Sequence, residues 1–280
     1  MPVMPEFRSL PGSTRRRAQW RCNPYRLVLA AAITLFSGAC SAATLGENLM
    51  SWDHWTDSAG RAARDNGTWM PLAGAAVIAA GGWDRQWQRS LAKHHYLFGE
   101  EGEEASNRLL QAGTLLYATS LVFAAPAETP FTDALDWKAA NLGAFVASKA
   151  SVDELAGRLK LASGRERPDG VPDDAFPSRH SATSAAQNTL TRRNLDYIEM
   201  DATFRDAAKI GLHTLDGLTG LARIEADQHY PTDVLAGIAL GNFVSSFAFN
   251  LLLERGDPQS YQFNVVPALD GYALETHFTF

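Results

Sequence analysis

The chain has 280 residues, 46% hydrophobic and 20% charged, with a net charge of −6 and a mean hydropathy of −0.17. That length can bury a sizeable core, and the balance is that of a globular, soluble or peripheral protein. An acidic body excludes sequence-independent nucleic-acid binding, which needs a basic face.

Arg15, Arg16, Arg17, Arg21 and Arg26 precede the apolar run "LVLAAAITLF" and the small-residue stretch "SGACSAA". This order predicts an export signal over residues 1–43 and a bacterial periplasmic or cell-envelope location. The apolar run has about half of the roughly 20 residues a spanning helix needs. "SGAC" also resembles a lipobox, with Ser37 in the usual leucine position, so lipidation and membrane anchoring at Cys40 is the alternative to cleavage near Ala43. Cys22 and Cys40 both lie in or at the edge of the leader, which leaves the mature domain no disulfide and no cysteine metal site. Loss of the leader removes six arginines and one glutamate and moves the net charge from −6 to −11.

The remainder reads as a mainly α protein: a helical domain over residues 44–256 and a β-hairpin over 257–280. "NLMSWDHWTDSAGRAARDN" has helical spacing and stops at an Asn-Gly turn; "WMPLAGAAVIAAGGW" is an apolar run closed by two glycines. His94 and His95 read as exposed polar residues after a helix. "RLLQAGTLLYATSLVFAA" is a longer apolar helix halted before Pro126 and Pro130, and another helix follows from Thr132 to Leu161. Glycines and prolines break "SGRERPDGVPDDAFP". Helices are then predicted over Ser178–Leu190, Thr203–Leu221 and Thr232–Leu253. The last is long enough to span a membrane, but Asn242, Ser246 and Asn250 recur every four residues, as in the central helix of a bundle. Gly237 and Gly241 in it predict close helix packing. "YQFNVVPAL", "DGY" and "ALETHFTF" alternate like a terminal hairpin, expected to pack on the helical body or to dock on a membrane or partner.

Three short motifs carry chemistry. Lys160 is followed after six residues by Arg167-Pro168; "PSRH" holds Ser178, Arg179 and His180; Arg223 is followed after five residues by His229 and after three more by Asp233. Alone, each describes something ordinary: a solvated loop, an N-cap serine, a hydrogen bond at a helix start. Their joint order does not. Arg165 and Glu166, like Arg192 and Arg193, read as surface residues, and no histidine spacing suggests a metal site.

Together the motifs resemble the signature of the type 2 phosphatidic acid phosphatase (PAP2) superfamily, which includes bacterial acid phosphatases, lipid phosphate phosphatases and vanadium haloperoxidases. The family pattern is Lys-x6-Arg-Pro, Pro-Ser-Gly-His, then Ser-Arg-x5-His-x3-Asp. Arg179 stands in the place of the glycine and Ala222 in the place of the first serine. The resemblance implies a PAP2-like helical bundle that hydrolyses phosphomonoesters or lipid (di)phosphates without a metal or cofactor. His229 would be the nucleophile that becomes phosphohistidine, Asp233 would orient its imidazole, and His180 would protonate the leaving oxygen. Lys160, Arg167, Ser178 and Arg223 would hold the phosphate oxygens, with Arg179 as a further cation. Two alternatives stay open: a haloperoxidase holding vanadate in the same pocket, and a non-catalytic envelope protein that binds lipid phosphates.

Overall fold

The computed structural model describes residues 52–127 and 130–254, with the backbone alone of residues 262–268 and 271–277. The predicted export signal and Cys40 lie outside the described residues. Among these the chain forms α1 (Trp52–Arg64), α2 (Asn66–Gly81), α3 (Asp84–His94), α4 (Gly102–Phe123), α5 (Phe131–Ser163), α6 (Arg179–Leu195), α7 (Ala202–Glu225) and α8 (Pro231–Leu252). β1 (Gln262–Ala268) and β2 (Gly271–His277) pair antiparallel, from Gln262 opposite His277 to Ala268 opposite Gly271. The side chains of these strands, and with them any packing on the helical body, lie outside the described residues.

The expected Asn-Gly turn after α1 is instead the first two residues of α2. Asp65 makes the break, its carboxylate accepting from the Gly67 N–H at 2.8 Å and so capping the new helix. Helix α6 runs five residues past its expected end at Leu190, because α4, α5, α7 and α8 surround it and no solvent face stops it. This burial corrects the surface assignment of Arg192. Its guanidinium donates to Asp216 Oδ2 at 3.1 Å and to Thr189 Oγ1 at 2.6 Å, while Asp216 also accepts from Ser184 and Asn188. Arg193, likewise expected at the surface, is half-buried between Asp65 and Glu254. Glu166, His94 and His95 are exposed as expected.

Small residues set the distance between α6 and α8. A Cβ on Gly237 would lie 2.4 Å from the Ser178 carbonyl oxygen, and one on Gly241 would lie 2.0 Å from that of Ala182. Only hydrogen at these two positions lets the backbones meet. The polar stripe of α8 is buried: Asn242 donates to Thr68 at 2.9 Å, Ser246 to Asp65 at 3.3 Å and Asn250 to the Ser58 carbonyl at 3.2 Å. Among the described residues α8 is the helix long and apolar enough to cross a membrane, and 61% of its apolar window is buried inside the bundle. Apolar packing is concentrated at the far end, around Tyr117, Leu190 and Phe249, and in a second cluster of Val152, Ala182, Ala186 and Val244.

Helices α4 to α8 alternate in direction. The start of α4, the end of α5, the start of α6, the end of α7 and the start of α8 therefore meet at one end of the bundle, where Arg223 reaches Ser106, His180 reaches Asn107 and Ser178 reaches Asp233.

Candidate active site

Lys160 occupies the last turn of α5, which ends on Gly164 in the left-handed region at φ 56°. Its ammonium is buried and donates to Asp174 twice, at 2.5 Å to Oδ1 and at 2.8 Å to the carbonyl oxygen. Burial pulls the Lys160 pKa below its ordinary value, while Asp174 opposes the fall. Arg167 lies on the following loop. Its guanidinium pairs with Asp174 Oδ2, and its Nε donates to the Asp174 carbonyl at 3.2 Å. One carboxylate thus joins the two cations of the first motif. Burial alone would raise Asp174; the Lys160 hydrogen bond and the charges of Lys160 and Arg167 take it below the usual carboxylate range.

Ser178 is the fully buried N-cap of α6, its Oγ accepting from the Ser181 N–H at 3.4 Å and from the Ser181 hydroxyl at 3.0 Å. Arg179 begins the helix on the outside, half-exposed and 3.7 Å from Asp153. His180 Nε2 lies 3.0 Å from Asn107 Oδ1 on α4. Burial, reinforced by Arg223, His229, Lys160 and Arg167, lowers the His180 pKa to about 3. Those couplings place His180 among the cations of both other motifs.

Arg223 ends α7, buried, with Nη1 donating to Ser106 Oγ at 3.2 Å. Its Nε is buried without a hydrogen-bond partner among the described residues, and burial brings the guanidinium pKa down to about 10. A buried donor of this kind can bind an anionic acceptor.

His229 is 1% exposed. Asp233, expected to orient it, stands within ion-pair range but is not its nearest partner. The His229 Nδ1 lies 2.8 Å from the Ala175 carbonyl oxygen but 3.9 Å from Asp233 Oδ2, beyond hydrogen-bond range. The reason is that the Asp233 carboxylate is already engaged: Oδ2 accepts from the Tyr230 N–H at 2.8 Å, and Oδ1 accepts from Arg165 at 2.6 Å. A carbonyl can only accept, so Nδ1 carries the proton and Nε2 is left bare. Burial depresses the His229 pKa, Asp233 opposes the shift, and Lys160 and Arg223 add to it, so the imidazole is neutral at neutral pH.

Arg165, expected at the surface, is a second correction. It donates to Asp233 and to Thr232 Oγ1 at 2.8 Å, pairs with Asp84 Oδ2, and covers the Tyr230 ring at 4.2 Å. Asp84 in turn accepts from the Thr232 N–H at 3.0 Å and from its hydroxyl at 2.6 Å. The start of α8, and hence Asp233, is fixed from α3 through one guanidinium. Sequence reasoning also missed Asp174 and Ala175. Asp174 carries no motif, and Ala175 acts through a backbone carbonyl that no side-chain pattern reveals.

The PAP2 superfamily profile matches residues 139–257, the stretch that holds all three motifs. Over that stretch the chain matches this superfamily. A lipid A 1-phosphatase from Porphyromonas gingivalis is 32% identical over 114 residues, which are 40% of this chain and 24% of that protein, so the chain spans about a quarter of this PAP2 relative. A crystal structure of a transmembrane PAP2-type phosphatidylglycerolphosphate phosphatase from Bacillus subtilis aligns with a TM-score of 0.46 at 19% identity, covering 64% of this chain and 90% of that one. Asp84, Ser106 and Asn107, which touch the motif residues or their supports, lie before the matched PAP2 segment.

Proposed function

We propose that the protein is an exported, envelope-located phosphatase that hydrolyses phosphomonoesters or the terminal phosphate of a lipid (di)phosphate, lipid phosphates being the favoured class. The observation that carries this reading is the Ala175 carbonyl on His229 Nδ1, which leaves a neutral, unprotonated Nε2 beside Lys160 and Arg223. Phosphoryl transfer asks for little more than placement and neutralisation of charge on the equatorial oxygens. Lys160, Arg167 and Arg223 supply that charge, and the start of α6 at Ser178 adds neutral donors. The proposed chemistry uses no metal and no cofactor.

In the first step His229 Nε2 forms a bond to phosphorus, the ester P–O bond breaks, and His180 gives its proton to the departing oxygen. In the second, water attacks the phosphohistidine, returns a proton to His180, and inorganic phosphate leaves. His180 must hold a proton to begin. Burial first, and then the surrounding cations, drive that proton off in the free protein, and a phosphate dianion among those cations restores it. Substrate binding therefore arms the acid.

Phosphate release from phosphatidate, an isoprenyl diphosphate and a soluble aryl phosphate tests this reading. Wild type should turn over at least one of them and His229→Ala none. Release by His229→Ala at the wild-type rate would remove the mechanism.

A further inference from the structure

Helices α2 and α3 precede the PAP2 segment and join the two ends of the bundle, from Asp65 beside Arg193 to Asp84 beside Thr232. Helix α2 has no charged side chain in 16 residues. Its side away from α8 is apolar and open, with Met70 55% and Val77 60% exposed, and Met70, Ala73, Val77 and Ala80 fall on one stripe. Trp83 and Trp87 follow it in the chain, stacked with ring centroids 6.0 Å apart and both exposed. Folded domains in water seldom leave so continuous an apolar face uncovered.

Helix α3, next in the chain, adds charge. Arg85, Arg89 and Lys93 recur every four residues, so they form one exposed stripe, and none is ion-paired among the described residues. Most other cations here have a carboxylate, as Arg61, Arg108, Arg158 and Lys209 do. In a chain of net charge −6, three cations unpaired among the described residues, on the helix that follows an exposed apolar one, complement a surface that is anionic outside and apolar beneath.

We propose that α2 and α3 form a docking surface for an anionic phospholipid bilayer. The apolar face of α2 enters the boundary of the acyl layer, and Arg85, Arg89 and Lys93 of α3 meet headgroup phosphates. From the same helix Asp84 reaches Thr232 and Gln88 reaches Asp227, beside the candidate active site. A bilayer bound there lies at the catalytic end of the bundle. The surface is argued from α2 and α3 alone and stands whether or not the site hydrolyses a lipid.

Co-sedimentation of the full chain with phosphatidylcholine vesicles, with and without phosphatidylglycerol, tests it. Wild type should partition on the order of 10²-fold better onto the phosphatidylglycerol vesicles at low salt, and lose that preference as salt is raised. Arg85→Gln/Arg89→Gln/Lys93→Gln should reduce binding to the phosphatidylcholine level while turning over a soluble aryl phosphate as wild type does. Val77→Asp should weaken binding to both vesicle types. Undiminished phosphatidylglycerol binding by the triple variant would overturn the proposal, as would a dimer abolished by Val77→Asp with no vesicle binding, which would assign the face to a second copy. A catalytically inert protein that still binds vesicles counts against the proposed hydrolysis and leaves this surface intact.

Discussion

The His229 imidazole takes its orientation from the backbone of Ala175, 2.8 Å from Nδ1, while the Asp233 carboxylate, one helical turn away, stands 3.9 Å off. A main-chain carbonyl on the loop of the first motif thus sets the tautomer of the histidine in the third. Asp233 contributes a fixed negative charge and holds the start of α8.

Asp233→Asn is expected to impair more than it abolishes. Where a carboxylate alone sets a catalytic tautomer, its amide costs about 10⁴ in kcat. Here Ala175 keeps Nδ1 protonated whatever stands at 233, so the loss should stay below about 10³. Thermal stability should fall as well, because Arg165 loses a buried anionic partner. Steady-state kinetics and a melt of the same sample check both.

Asp174→Asn should strengthen the binding of inorganic phosphate. The carboxylate now neutralises Lys160 and Arg167 together, and a phosphate must displace it to use them. Removing one competing charge contact is expected to lower the phosphate inhibition constant about tenfold, equivalent to roughly 1.4 kcal/mol. A raised inhibition constant would show that Asp174 helps to build the cradle and does not compete for it.

Acidification should weaken the free protein and tighten phosphate binding. The folded pKa of His180 is about 3, below the ordinary 6.5 of the unfolded chain, so between those values the unfolded state binds the extra proton and stability falls as the pH falls. Bound phosphate raises the His180 pKa, so binding takes up a proton and affinity grows toward acid. Calorimetric titration in buffers of different ionisation enthalpy should show that uptake in wild type and its loss in His180→Gln.

Two glycines, one in the contact of α6 with α8 and one on the open side of α7, carry opposite predictions. Gly241→Ala places a methyl 2.0 Å from the Ala182 carbonyl oxygen and should cost about 3 kcal/mol, since neither backbone can yield. Gly217→Ala, on α7 with open space around it, should gain roughly 0.5–1 kcal/mol from helix propensity alone. Denaturant melts of the two variants measure both signs.

Much of this was legible in the sequence where the pattern is local. Apolar spacing located the long helices, glycine and proline marked the loop after Lys160, and Gly237 with Gly241 announced a tight helix contact, whose partner is α6. The ordered cations and imidazoles named the motif residues. What escaped depends on partners far along the chain. Arg192 looked solvated because charge in a short window says nothing of a helix enclosed on all sides, and Arg165 because its acceptors, Asp84 and Asp233, lie 81 and 68 residues away. Asp233 matched its motif by spacing, but spacing cannot tell which of several nearby donors the carboxylate will take. The competing Tyr230 N–H and Arg165 guanidinium decided that.

The central claim is that His229 Nε2 becomes covalently phosphorylated. Rapid acid-free quenching of wild type with a radiolabelled aryl phosphate, followed by peptide mapping, tests it most directly. The prediction is a transient, acid-labile and base-stable phosphate on His229, absent from His229→Ala and accumulating when hydrolysis is slowed. Turnover at full rate with no label on His229 at any time would contradict it.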